Sequence, residues 1–129
     1  MDMQAEYRES PPRKSSCALV FAGGLCGAAG VGLSAAATHL GGAFTGTVAS
    51  FLLAHAPVLV AVGLTGANRI AKIACLVLAV GLVLFCGDLL MRDFGGTRLM
   101  AMAAPTGGTL LIAGWLVLAA SAFAKSKSR

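Results

Sequence analysis

The chain has 129 residues, of which 57% are hydrophobic and only 12% charged, with a mean hydropathy of +0.84 and a formal charge of +5. A soluble domain carries about 25% charged residues, so this composition excludes an ordinary water-soluble fold and leaves one domain whose solvent is mostly lipid. Nucleic acid is excluded as a partner for the positive charge, because the ten Lys and Arg residues gather at the ends of apolar runs instead of forming a stripe interleaved with aromatics.

Residues 1–15 mix acids and bases around Pro11 and Pro12, a pair that discourages helix, and read as a polar tail. A secretory signal peptide is the competing reading, since Arg13 and Lys14 precede an apolar run and Ser34-Ala35-Ala36-Ala37 resembles a cleavage site. The uncharged run from Cys17 to Thr38 is longer than a signal core and matches the ~20 residues a span needs, so it is assigned as the first span. It is dense in small residues. Gly23 and Gly27 form a GxxxG step, and Ala28, Gly32 and Ala36 repeat at four-residue spacing, a pattern that lets another helix backbone approach. Packing within the bundle and a homo-oligomer interface both use such a face.

Gly41, Gly42 and Gly46 mark a turn, after which a second span covers about 47–67. Its one ionisable residue is His55, about 12 Å in from Thr47 at ~1.5 Å per residue. Pro57 leaves a backbone carbonyl without its helical donor, and His55 is a candidate to repair that gap. The readings of His55 are a hydrogen-bonded structural histidine, a proton-handling or ligand-binding group, and a metal ligand.

The basic turn Asn68, Arg69 and Lys72 leads to a third span over about 71–91. Near its end stands LFCGDLLMRDF, in which Asp88 is the only acid inside a hydrophobic segment. An ionised carboxylate in lipid is costly, about 2.5–3.5 kcal/mol on insertion scales, so Asp88 must face protein, water or a partner. Arg92 follows at i+4, the orientation an acid–base helix pair prefers. The alternative is that Arg92 pairs with Asp93 or lipid phosphate, leaving Asp88 to meet His39, His55 or water in an internal pocket.

A fourth span covers about 99–123, with Pro105, Gly107 and Gly108 near its start. Pro105 either kinks this helix or occupies the first turn of one that begins there. The paired glycines permit close helix approach, as do Gly87 in the third span and Gly114 in the fourth. Trp115 lies well inside, so it reads as a packing residue whose indole N–H needs a buried acceptor.

The expected architecture is all-α: an integral membrane four-helix transmembrane bundle over 16–124, with a basic tail at 125–129. Arg8, Arg13, Lys14, Arg69, Lys72, Lys125, Lys127 and Arg129 fall on one side, and Arg92 and Arg98 on the other. The positive-inside rule then predicts cytoplasmic termini in a cell inner membrane. It also puts His39, Asp88, Arg92 and the Pro105 region toward the outer leaflet, with His55 deeper.

Cys17, Cys26, Cys75 and Cys86 have neither CxxC nor zinc-site spacing and read as small apolar fillers. No phosphate loop, nucleophile elbow or HExxH is present, so no enzyme, metal or cofactor is expected.

LFCGDLLM, APTGGTLLIAGW about twenty residues later, a small-residue first span ending in ATHL and an Ala-His pair in the second resemble the DUF423 family of small four-span inner-membrane proteins. The resemblance covers roughly residues 18–124. The matching positions are His39, His55, Leu84, Phe85, Gly87, Leu89, Pro105, Gly107, Gly108, Gly114 and Trp115. Asp88 departs from the family's usual serine, and Ser50-Phe51-Leu52-Leu53 replaces a polar stretch. The family has no assigned activity, so the resemblance implies fold and location only. Small multidrug exporters need an acid in the first span, which is missing here. Fluoride channels share the Gly23-Gly24, Gly27-Ala28 opening, but their later polar motifs are lacking.

The function expected is structural or accessory: a bundle packed through small-residue faces, with the lipid bilayer and a homo-oligomer or membrane-protein partner as its contacts. The alternative is a small ion- or proton-coupled channel or transport module using a cluster of His39, His55, Asp88 and Arg92.

Overall fold

A computed structural model describes residues 14–124; the remaining parts of the two polar tails lie outside the described residues. Four helices follow one another: α1 (Cys17–Leu40), α2 (Thr45–Thr65), α3 (Arg69–Gly95) and α4 (Ala103–Ala120), the last continued by a single 3-10 turn at Ser121–Phe123. All are long and apolar enough to cross a membrane. Their apolar residues run all the way round rather than along one stripe, the pattern of helices solvated by lipid. Phe21, Val31, Val83, Ile112 and Leu116 are each more than half exposed and form part of that lipid-facing surface.

The helices form two antiparallel hairpins, α1 with α2 and α3 with α4, joined mainly along α2 and α3. Short connections force each antiparallel pairing. Where α1 and α3 part, an apolar groove of about 360 Å³ opens between Ala22, Leu25, Cys26, Val83 and Leu90. The core between the hairpins holds Val48, Leu78, Leu82, Cys86, Leu89 and Leu111. All four cysteines are free, with Cys75 and Cys86 buried.

Within each hairpin, glycines admit the side chains of the facing helix. A Cβ on Gly23 would lie 2.6 Å from Val60 Cγ2 and 2.8 Å from Ala56 O, and one on Gly30 would lie 2.7 Å from Leu53 Cγ. In the second hairpin Gly107 faces the backbone of Gly81 and Phe85, while Gly114 receives Leu78. The repeat that matters is therefore seven residues, Gly23 to Gly30 and Gly107 to Gly114, the spacing that keeps two helices in contact along their length. The four-residue reading of α1 needs correction here. Gly27 makes only an ordinary contact with Ala56, and Gly32 has open space where its side chain would be, so Gly32 packs against nothing among the described residues.

The helix limits also differ from the expected spans. The fourth helix starts at Ala103 rather than near Leu99, which puts Pro105 in the first turn, where a missing N–H costs nothing. Pro57 sits inside α2 without ending it.

Candidate functional site

The C-terminal part of α3 ties down two connections through two carboxylates. Asp88 is fully buried at 0% exposure. Its Oδ2 accepts from Arg92 Nη2 at 2.6 Å and its Oδ1 from the backbone N–H of Leu99 at 2.8 Å. The acid therefore pairs with the arginine one turn on and also folds the α3–α4 connection back over its own helix. The Leu99 side chain then lies over Gly87, where a Cβ would stand 3.6 Å from Leu99 Cδ2. Arg92 stacks its guanidinium 5.9 Å above the centroid of Phe44. Its Nε is buried with no hydrogen-bond partner among the described residues.

Asp93, five residues after Asp88, points about 140° away around the helix at ~100° per residue. Its Oδ2 accepts from Phe44 N at 2.9 Å and from Thr45 Oγ1 at 2.8 Å, so α3 caps the N-terminus of α2. A carboxylate there complements the positive end of the helix dipole. This contact dictates the preceding turn: Gly42 has φ +116°, and a Cβ there would lie 2.8 Å from Asp93 Oδ2. Sequence reasoning considered Asp93 only as a partner for Arg92 and missed this role. At the opposite end Asn68 plays a similar part, accepting from Ala71 N to cap α3 while its Nδ2 donates to Ser121 O at 2.9 Å.

His55 lies near the middle of α2, buried at 5% exposure, about 15 Å along the axis from Thr45. Its Nδ1 is 2.7 Å from Phe51 O, and Trp115 Nε1 donates to its Nε2 at 3.0 Å. A carbonyl only accepts and an indole N–H only donates, so the proton sits on Nδ1 and both ring nitrogens are used. His55 thus provides the acceptor that Trp115 requires. It does not repair the carbonyl freed by Pro57, which belongs to Leu53, because its own bond goes to Phe51. Trp115 is 42% exposed, so its ring covers the bundle from the lipid side instead of filling the core.

Phe51 and Phe85 extend this group, with centroids 4.7 Å apart, and His55 lies 5.6 Å from Trp115. Together with Gly108, Leu111 and Ile112 they line a cleft of about 300 Å³. Its only polar wall is an imidazole with no hydrogen-bonding capacity left to offer a ligand.

The expected polar cluster does not assemble. Asp88 and Arg92 pair, His55 turns to Trp115, and His39 is exposed at the end of α1 with no side-chain hydrogen bond among the described residues. The cause is geometric. His39 and Asp88 share one end of the bundle but sit on helices that barely touch, whereas His55 is about half a span deeper.

His55→Ala strands the Trp115 N–H at a depth where no water replaces the acceptor. We expect a loss of about 1–2 kcal/mol in detergent unfolding. Trp115 is the only tryptophan, so a shift in intrinsic fluorescence should accompany it. Trp115→Phe, which removes the donor instead, should cost about 1 kcal/mol or less.

Residues 26–108 match the model of a family described as proteins of unknown function (DUF423). A UPF0382 membrane protein of Haemophilus influenzae is 36% identical over 61 residues, covering 47% of this chain and 48% of that protein. The match thus spans about half the length of that curated relative. No solved structure matches. With the family match covering well over half the sequence and four apolar helices carrying it, the chain is a small multi-pass membrane protein of the DUF423 family.

Proposed function

We propose that this protein is a structural or accessory component of the cell inner membrane, with cytoplasmic termini and no catalytic role. The observation that carries the reading is the state of its intramembrane polar groups. His55, Asp88 and Asp93 each direct their hydrogen bonds to partners inside the same chain. Side chains that move ions or protons need a route to water and capacity to exchange partners. Here that capacity goes into tying helices together.

The orientation rests on charge. Lys14, Arg69 and Lys72 lie at the end where α1 begins, and Arg8, Arg13, Lys125, Lys127 and Arg129 belong to the segments leading from it. The opposite end has Arg98 and an Arg92 already neutralised by Asp88. That asymmetry favours the first end in the cytoplasm. The outward face of α1, where Gly24 and Gly32 have open space and Ala28 is exposed, suits a second copy or a helix of another membrane protein.

The test is ion flux across a pH range in liposomes containing the purified full chain, alongside His55→Ala and Asp88→Asn. The expected result is no protein-dependent flux in any of the three. Flux in the wild type that disappears in both folded variants would replace the structural reading with transport.

A further inference from the structure

The end of the bundle where α1 and α3 begin combines an apolar cleft with a cluster of cations. Ser15, Cys17, Val20, Phe21 and Leu64 line a cleft of about 450 Å³. Phe21 and Leu64 are 68% and 62% exposed, so the cleft opens sideways toward the hydrocarbon of a bilayer. At its polar edge, Lys72 Nζ donates to the carbonyl of Lys14 at 2.9 Å, immediately before the lining residue Ser15. That bond uses one of three ammonium donors and holds the charge beside the cleft mouth.

The charge of this end is one-sided within the described residues. Arg69 begins α3 next to Lys72, and both described acids, Asp88 and Asp93, lie at the far end of the same helix. The chain beyond Ala124 starts at this end, since Ser121 is bonded to Asn68, and its sequence is Lys-Ser-Lys-Ser-Arg.

From this charge complementarity we propose that the end is a binding site for an anionic phospholipid. One acyl chain lies in the Cys17–Leu64 cleft and the phosphate meets Lys72 and Lys14. A hydrocarbon-facing trough that ends at a held ammonium matches the amphipathic shape of such a lipid. A neutral zwitterionic lipid fills the trough equally well but gains nothing from a net positive collar. The inference requires only the membrane-spanning fold and is independent of which way the termini face.

The test uses the purified full chain in a neutral detergent, titrated with phosphatidylglycerol or with phosphatidylcholine of the same acyl chains, bound lipid being counted by native mass spectrometry. Phosphatidylglycerol should bind about tenfold more tightly or better at low ionic strength, and the preference should shrink as salt is added. Lys72→Gln should weaken phosphatidylglycerol about fivefold and leave phosphatidylcholine unchanged, while Lys72→Arg retains the preference. Cys17→Phe, which fills the cleft and leaves the lysines in place, should weaken both lipids. Circular dichroism of each variant establishes that the helices are intact. Equal affinity for the two lipids in the wild type, a Lys72→Gln protein that keeps the full wild-type preference, or full displacement of phosphatidylglycerol by millimolar inorganic phosphate would each overturn the proposal.

Discussion

Gly107→Ala is expected to force α4 away from α3 and to destabilise the bundle by about 3 kcal/mol, near the upper end of what overpacking usually costs. The reason is the identity of the atoms it would meet. A Cβ at this position would lie 2.5 Å from Phe85 N, 2.8 Å from Gly81 O and 2.9 Å from Phe85 Cα. These are backbone atoms of a continuous helix and have no rotamer to change. Relief requires moving one helix against the other, which also withdraws Leu78 from the notch at Gly114 and Leu111 from Gly81. Gly32→Ala is the matched control. Nothing stands within 4 Å of a Cβ there, so it should be neutral or slightly stabilising, alanine being the better helix former. Unfolding of both proteins in mixed detergent micelles measures the difference. Equal stability would mean that α3 and α4 do not approach as closely as described.

These glycines show how far a sequence reading reaches in a membrane bundle. Four spans were legible, because length and hydropathy answer directly to the thickness of the bilayer. The Asp88–Arg92 pair was legible too, because a contact one helical turn apart is fixed by local geometry. The packing face of α1 was not. Small residues at four-residue and seven-residue spacing coexist in Gly23, Gly24, Gly27, Gly30 and Gly32, and spacing alone cannot say which set meets a helix. The facing helix decides: Leu53 and Val60 of α2, themselves seven residues apart, meet Gly30 and Gly23.

Long-range polar partners were legible only as needs. That Trp115 requires an acceptor follows from its chemistry, but its acceptor is 60 residues away. The choice between His55 and a backbone carbonyl depends on how α2 and α4 are placed. Asp93 was hidden for a related reason. It lies at a helix end next to Arg92, where a solvated ion pair is the simplest reading, and its true partners belong to a different connection. The start of α4 was misjudged because Leu99, Met100, Ala101 and Met102 extend the apolar run without joining the helix. Their backbone is needed to reach Asp88.

That dependence makes Asp88 the second site of large effect. Asp88→Ala removes, in one step, the counter-charge of Arg92 and the acceptor of Leu99 N, and it does so at a fully buried position. The charge left without its partner is that of Arg92, whose side chain is 25% exposed, so part of the cost of breaking a buried pair applies there in addition to the lost acceptor of Leu99 N. We expect the melting temperature to fall by roughly 10 °C on that basis. Asp88→Asn should fall less. Its amide oxygen still accepts from Leu99, but its NH₂ then faces a guanidinium that also only donates. The double variant Asp88→Ala with Arg92→Met should recover part of the loss, because the stranded charge is gone even though the Leu99 bond is not restored. Such recovery is the signature of a coupled pair and would not arise if the two residues acted independently. If Asp88→Ala melts with the wild type, Asp88 is hydrated. The internal saturation on which the structural reading rests then fails at its most buried acid.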